Sequence, residues 1–215
     1  MKWTERMVTV ARRDDPEASL EAIYVAAGPD APKGAVVAPP HPLYGGSLES
    51  PVVNELAYAC FKQGLDSLRF NWRGVGASSG EPSGEADDAD QDYAAALDQL
   101  AETVPGKLVA CGYSFGAAAA VRVAASHPRV DRLILVAPPP SLISPETIIG
   151  TGKRVLAITG ELDDLAPHRA LETAFGGVPE VELIVLPDTD HFFARGLAEL
   201  AHCVAGWLPS VSDER

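Results

Sequence analysis

Cysteine is scarce: Cys60, Cys111 and Cys203 are the three in 215 residues, odd in number and far apart. Neither a disulfide framework nor paired Cys or His at zinc-site spacing can be assembled from them. They read as three buried, reduced thiols in a cytoplasmic protein. Long apolar runs are missing too. No stretch approaches the roughly 18 unbroken apolar residues that a membrane span needs. The opening Met1-Lys2-Trp3-Thr4-Glu5-Arg6 carries charges where an export signal needs an apolar run. Positive charge is outweighed, with 17 Lys and Arg against 30 Asp and Glu and a formal net charge of −13. That balance repels phosphate backbones and anionic lipid, so neither nucleic acid nor a membrane surface is an expected partner. A small molecule or another protein is.

What is present suits one compact domain over residues 1–215. A chain of this length buries roughly 70% of its unfolded surface and needs no metal staple. Strand-like and helix-like segments alternate. Met7–Arg12 and Leu20–Ala27 read as an antiparallel pair turning at Asp14-Asp15-Pro16. The short strands Ala35–Ala38, Leu65–Trp72, Lys107–Cys111, Leu133–Ala137, Arg154–Thr159 and Val181–Leu186 follow. Helices are expected over Ser50–Gln63, Ala86–Thr103, Phe115–Ser126, Pro167–Phe175 and Phe192–Leu208, from apolar residues at helical spacing. The tail Ser210–Arg215 reads as frayed. Repeated βα units with apolar strands mean an α/β architecture: a mostly parallel central sheet with helices on both faces. Ligands of such sheets sit beyond the carboxyl ends of the strands, so function is sought in the loops there.

Two segments match Gly-x-Ser-x-Gly, and context separates them. A nucleophile elbow is a tight turn between a buried strand and a helix, which lifts the hydroxyl clear and aims helix amides at it. Gly112-Tyr113-Ser114-Phe115-Gly116 has Leu108-Val109-Ala110-Cys111 before it and an alanine-rich helix after. Gly76-Ala77-Ser78-Ser79-Gly80 runs into Glu81-Pro82-Ser83-Gly84, which is no helix. Ser114 is therefore the candidate nucleophile. The Gly74-Val75-Gly76 stretch fails as a dinucleotide loop, because no helix begins after it to bind pyrophosphate. The run Asp88-Ala89-Asp90-Gln91-Asp92 imitates a calcium loop but has Tyr93 where the sharp turn needs Gly. It reads as a solvated helix face whose carboxylates suit the positive end of the helix dipole.

A serine hydroxyl needs a base to take its proton. His191 has the address for one, on the loop after the strand Val181–Leu186. His202 falls mid-helix, His127 at a helix end, and His168 within the helix after the acidic loop. A carboxylate must hold the base in one tautomer. The loop Gly160-Glu161-Leu162-Asp163-Asp164 supplies it, and spacing alone does not choose between Asp163 and Asp164. Two amides must meet a developing oxyanion. One is that of Phe115. The other comes from Pro39-Pro40-His41-Pro42-Leu43-Tyr44-Gly45-Gly46, from Leu43 or Tyr44. His41, Tyr44 and Tyr113 are the side chains expected to touch substrate.

These motifs, in the order Ser, Asp, His, resemble the α/β-hydrolase superfamily over about Ala35–Leu208. The chain is similar to compact bacterial hydrolases carrying His-Pro-His-Pro-Leu-x-Gly-Gly and Asn-x-Arg-Gly-x-Gly-x-Ser. Here these are Pro39–Gly46, with Pro39 in place of the first His, and Asn71-Trp72-Arg73-Gly74-Val75-Gly76-Ala77-Ser78. The resemblance implies Asp163 as the acid and Leu43 as the second amide. Only Pro138–Lys153 lies where relatives insert a helical cap, so no cap domain and an open site are expected. The expectation is a carboxylesterase-like serine hydrolase of small esters through an acyl-enzyme, without metal or cofactor. Thioester or amide cleavage on the same residues and a non-catalytic binding scaffold are the alternatives.

Overall fold

The computed structural model describes residues 2–29 and 31–208. The expectation for 210–215 lies outside them. Eight strands form one sheet: β1 (Arg6–Ala11), β2 (Ser19–Val25), β3 (Gly34–Ala38), β4 (Asp66–Phe70), β5 (Leu108–Tyr113), β6 (Val130–Val136), β7 (Arg154–Gly160) and β8 (Val181–Leu186). Their order is β1-β2-β4-β3-β5-β6-β7-β8. The opening hairpin is antiparallel and joins β4 antiparallel; every later pairing is parallel. Strands β3, β4 and β5 are buried at every residue. Burial on both faces is why β3 and β5 read as nearly continuous apolar runs, whereas β4 buries Asp66, Ser67 and Arg69 as well.

Helices α1 (Pro51–Lys62) and α6 (Leu197–Trp207) pack on each other, and α2 (Ala86–Thr103), α3 (Phe115–Ser126) and α4 (Pro145–Thr151) pack in a row; α5 (His168–Phe175) lies against β8. The chain leaves β3 toward β4 and then returns past β3 to β5. The strand order therefore reverses at the β3–β5 border, where ligand crevices of open α/β sheets form. No described helix is long and apolar enough to cross a membrane.

Three local differences from the sequence reading have physical causes. The last helix begins at Leu197 rather than Phe192, because Phe193 (φ 54°) and Gly196 (φ 98°) hold left-handed conformations that no α-helix accommodates. The two-turn helix α4 forms inside the short β6–β7 connection. Ser144 Oγ caps it by accepting the Thr147 amide at 3.2 Å, and Gly152 (φ 62°) ends it. It is no cap domain. Cys60 and Cys111 are buried as expected, but Cys203 is half-exposed on α6.

The acidic start of α2 corrects the expectation of a solvated face. Asp92 is 1% exposed and accepts the Arg73 amide at 2.9 Å, and Arg73 Nη2 donates to it at 2.8 Å. Asp88 pairs with Arg73 as well, and Asp90 pairs with Arg122. The carboxylates anchor the loop that follows β4. Asp92→Ala is expected to destabilise the fold by about 3–5 kcal/mol, because the Arg73 charge loses its one fully buried partner and the Arg73 amide its acceptor. Urea denaturation measures it; a loss below about 1 kcal/mol would contradict this placement.

Candidate active site

Four loops at the carboxyl ends of β3, β5, β7 and β8 bring the candidate residues together. The β5 loop is a single-residue turn. Ser114 stands between β5 and α3 at φ 53°, ψ −118°, a strained backbone for a residue with a side chain. Its amide donates to Val136 O at 2.8 Å, stitching the turn to the end of β6. The flanking glycines are steric requirements. A Cβ on Gly112 would stand 2.2 Å from Gly116 O, and one on Gly116 would stand 2.5 Å from Pro39 O. The second contact shows how closely α3 abuts the β3 loop.

His191 reaches the serine from the loop after β8, across the ends of β6 and β7. Its Nε2 lies 3.1 Å from Ser114 Oγ, and its Nδ1 lies 2.8 Å from Asp163 Oδ2 and 3.0 Å from Oδ1. A carboxylate only accepts, so Nδ1 carries the proton toward Asp163 and Nε2 is left to accept from the serine hydroxyl. Asp163 is 3% exposed and also accepts the Leu165 and Ala166 amides, at 2.9 and 2.7 Å. Of the two acids that spacing left open, the geometry brings Asp163 to the imidazole. Asp164 is exposed. His202 is exposed, His127 follows α3 and accepts the Arg129 amide, and His168 opens α5; none of them is hydrogen-bonded to Ser114.

Tyr113 departs from its expected place. It is buried rather than turned to substrate, and its hydroxyl donates to His191 O at 2.8 Å. Burial first, then the charges of Asp163 and Asp190, push its pKa far up, so it stays a neutral donor. As the last residue of β5 it alternates inward where Ser114 turns outward. It therefore supports the histidine loop. Tyr44 is 87% exposed, and Leu43 is exposed beside it.

The Phe115 amide opens α3, where no residue one turn back can accept it. The Leu43 amide is not free: it donates to His41 Nδ1 at 3.3 Å, capping a 3₁₀ turn over Pro42–Tyr44. The His41 ring lies 4.6 Å from that of Phe115 and 4.7 Å from that of Tyr44. Burial lowers the His41 pKa, which keeps the imidazole neutral and able to accept. Trp72 Nε1 donates to Pro40 O at 3.0 Å, holding the loop from beneath.

The Asn71–Ser78 motif, chemically mute in the sequence reading, is the frame around that loop. Asn71 Oδ1 accepts the Leu48 amide at 2.7 Å, and Ser78 Oγ donates to Asn71 O at 3.0 Å. Ser78, the rejected second match, is buried in this frame. Among the described residues, no group of three or more His, Cys, Asp or Glu side chains is arranged to hold a metal ion.

Fold and site together define an α/β serine hydrolase without a cap. Residues 31–162 match the family model described as serine aminopeptidase, S33, and the chain belongs to that family. It is 36% identical to an uncharacterised protein of Rickettsia prowazekii, over 92% of this chain and 87% of that one. Among solved structures it is similar to an alpha-beta serine hydrolase homologue from Coxiella burnetii (28% identical, TM-score 0.84, covering 95% of this chain and 97% of that one). A serine hydrolase without lid from Xanthomonas campestris is as similar, at 28% identity and TM-score 0.83 over 96% of both chains.

Tyr113→Phe removes the donor to the buried histidine loop. It is expected to cost about 1–1.5 kcal/mol of stability in thermal or urea denaturation. No change would mean that the His191 carbonyl does not depend on it.

Proposed function

We propose that the protein hydrolyses small, uncharged carboxylic esters through an acyl-enzyme. The observation that carries this reading is the single imidazole standing 3.1 Å from Ser114 Oγ and 2.8 Å from Asp163. Ser114 Oγ attacks the ester carbonyl as its proton passes to His191 Nε2. The negative charge that develops on the carbonyl oxygen is met by the Phe115 amide and by an amide of the 39–46 loop. Collapse of the tetrahedral species breaks the ester C–O bond, and His191 returns the proton to the leaving alcohol. Water, deprotonated by His191, then attacks the acyl-serine. The acid is released and Ser114 regains its proton. Asp163 keeps the imidazole in one tautomer and balances its charge in both halves of the cycle.

Two features support the substrate class. Large apolar side chains stand exposed on the loops around the serine: Leu43 and Tyr44 after β3, Leu142 after β6, Leu162 and Leu165 after β7, and Phe192 after β8. Exposed carboxylates lie among them at Glu161, Asp164 and Asp188, within a chain of net charge −13. Apolar contact with an electronegative rim favours neutral esters over carboxylate- or phosphate-bearing ones. The absence of a cap leaves no covered trench for a long acyl chain. Three cysteines without a disulfide between them suit action in a reducing compartment such as the cytoplasm. The aminopeptidase in the family's description makes amide cleavage the second reading, and it uses the same residues.

The purified protein is expected to hydrolyse p-nitrophenyl acetate and butyrate faster than the octanoate, and faster than a p-nitrophenyl hemisuccinate. Chelator leaves the rate unchanged. Ser114→Ala abolishes turnover, and Asp163→Asn lowers kcat by about 10⁴-fold. Preferred turnover of aminoacyl p-nitroanilides would shift the reading to amide cleavage. Ester turnover that survives Ser114→Ala would overturn it.

A further inference from the structure

We infer that the His41 imidazole is a positioning residue for the oxyanion site, and that the amide it positions is its own backbone N–H; this rests on the hydrolase reading above. The loop after β3 has few amides to offer. Pro39, Pro40 and Pro42 carry no N–H. The Leu43 amide is taken by His41 Nδ1 at 3.3 Å, and the Tyr44 and Gly46 amides are taken by His41 O at 3.1 and 3.0 Å. Among the described residues, the amides of His41 and Gly45 alone in this loop have no acceptor. Gly45 closes the turn at φ 80°, beside the outward-facing Tyr44. His41 stands at the other end. Its ring touches that of Phe115, the residue that follows the nucleophile and gives the first donor.

Every neighbour of His41 restrains its backbone. Pro42 confines it to extended geometry, and φ −61°, ψ 124° are observed. The preceding carbonyl, Pro40 O, is held by Trp72 Nε1. The ring folds back over the turn to accept the Leu43 amide. A Cβ at Gly84 would stand 2.8 Å from His41 Cε1 and 3.0 Å from Nε2, so the 74–84 loop closes over the ring where it has no side chain. Gly84 does not hold a left-handed backbone, so this is a demand for space rather than for conformation. The ring thus joins the turn, the first residue of α3 and the 74–84 loop. Preorganised donors act because they need not move during reaction, and a misplacement of about 1 Å costs on the order of 100-fold.

Three variants separate the ring's acceptor from its bulk. His41→Phe keeps the ring against Phe115 and removes the acceptor. His41→Asn restores a side-chain acceptor suited to capping the turn. Gly84→Ala pushes on the ring and leaves His41 unaltered. With p-nitrophenyl butyrate, His41→Phe is expected to lower kcat about 100-fold with KM within about threefold of wild type. His41→Asn is expected to recover about tenfold of that loss, and Gly84→Ala to lower kcat in the same sense. Amide hydrogen exchange reads the restraint without turnover. The Leu43 N–H is slow in wild type and His41→Asn, and fast in His41→Phe. Equal losses in the Phe and Asn variants, an effect confined to KM, or unchanged Leu43 exchange would each overturn the inference while leaving ester hydrolysis in place. A wild type that turns over no ester would overturn the hydrolase reading, and this one with it.

Discussion

One hydrogen-bonded line governs the arrangement of this molecule: Asp163, His191 and Ser114, contributed by the ends of β7, β8 and β5. The line exists only while three separate strand ends stay in register at one edge of the sheet. That register is stitched by backbone bonds across the edge. The Ser114 amide reaches Val136 O, the Ala137 amide reaches Ile158 O, and the Glu161 amide reaches Leu186 O. Burying Asp163 is unfavourable unless its oxygens are met, and two loop amides together with the imidazole meet them. Left-handed backbone at Ser114, Ala137, Asp188 and Phe193, all non-glycine residues, is concentrated at this edge. Such strain persists where surrounding packing over-determines it, and here it aims the side chains of the site.

The other half of the site is held from beneath rather than from its own strand. Asn71, Trp72 and Arg73 follow β4, the neighbour of β3, and each fastens a different part. Asn71 holds the Leu48 amide beyond the 39–46 loop, Trp72 holds the Pro40 carbonyl within it, and Arg73 ties the β4 loop to α2 through Asp92. The buried ion pair and the open site are thus parts of one construction. The loop after β4 that frames this half of the site is anchored by an acidic helix start more than ten residues further along the chain.

Much of this was legible in the sequence. The parallel sheet, the elbow at Ser114 and the histidine loop declare themselves through apolar strands, paired glycines and position at strand ends. Asp163 could not be told from Asp164 by spacing, because adjacent loop residues differ in which way the backbone turns them. The burial of Asp92 was hidden for a related reason. A carboxylate in the first turns of a helix suits the dipole whether it faces solvent or an arginine brought by another loop. The inward turn of Tyr113 does not show in its nearness to Ser114 along the chain. Alternation at the end of a strand sends neighbours to opposite sides. The engagement of the Leu43 amide was invisible because it depends on the rotamer of one histidine. Composition and periodicity report where elements lie, whereas these outcomes depend on which partner reaches a group first.

The central claim is that Ser114 is made nucleophilic by His191 at this edge. The most direct measurement is mass spectrometry of the folded protein after exposure to a fluorophosphonate, with the adduct located by peptide sequencing. A single adduct on Ser114, lost in His191→Ala under conditions where that variant remains folded, is the predicted result. A wild-type protein that stays unlabelled, or that carries the adduct on another residue, would contradict the account.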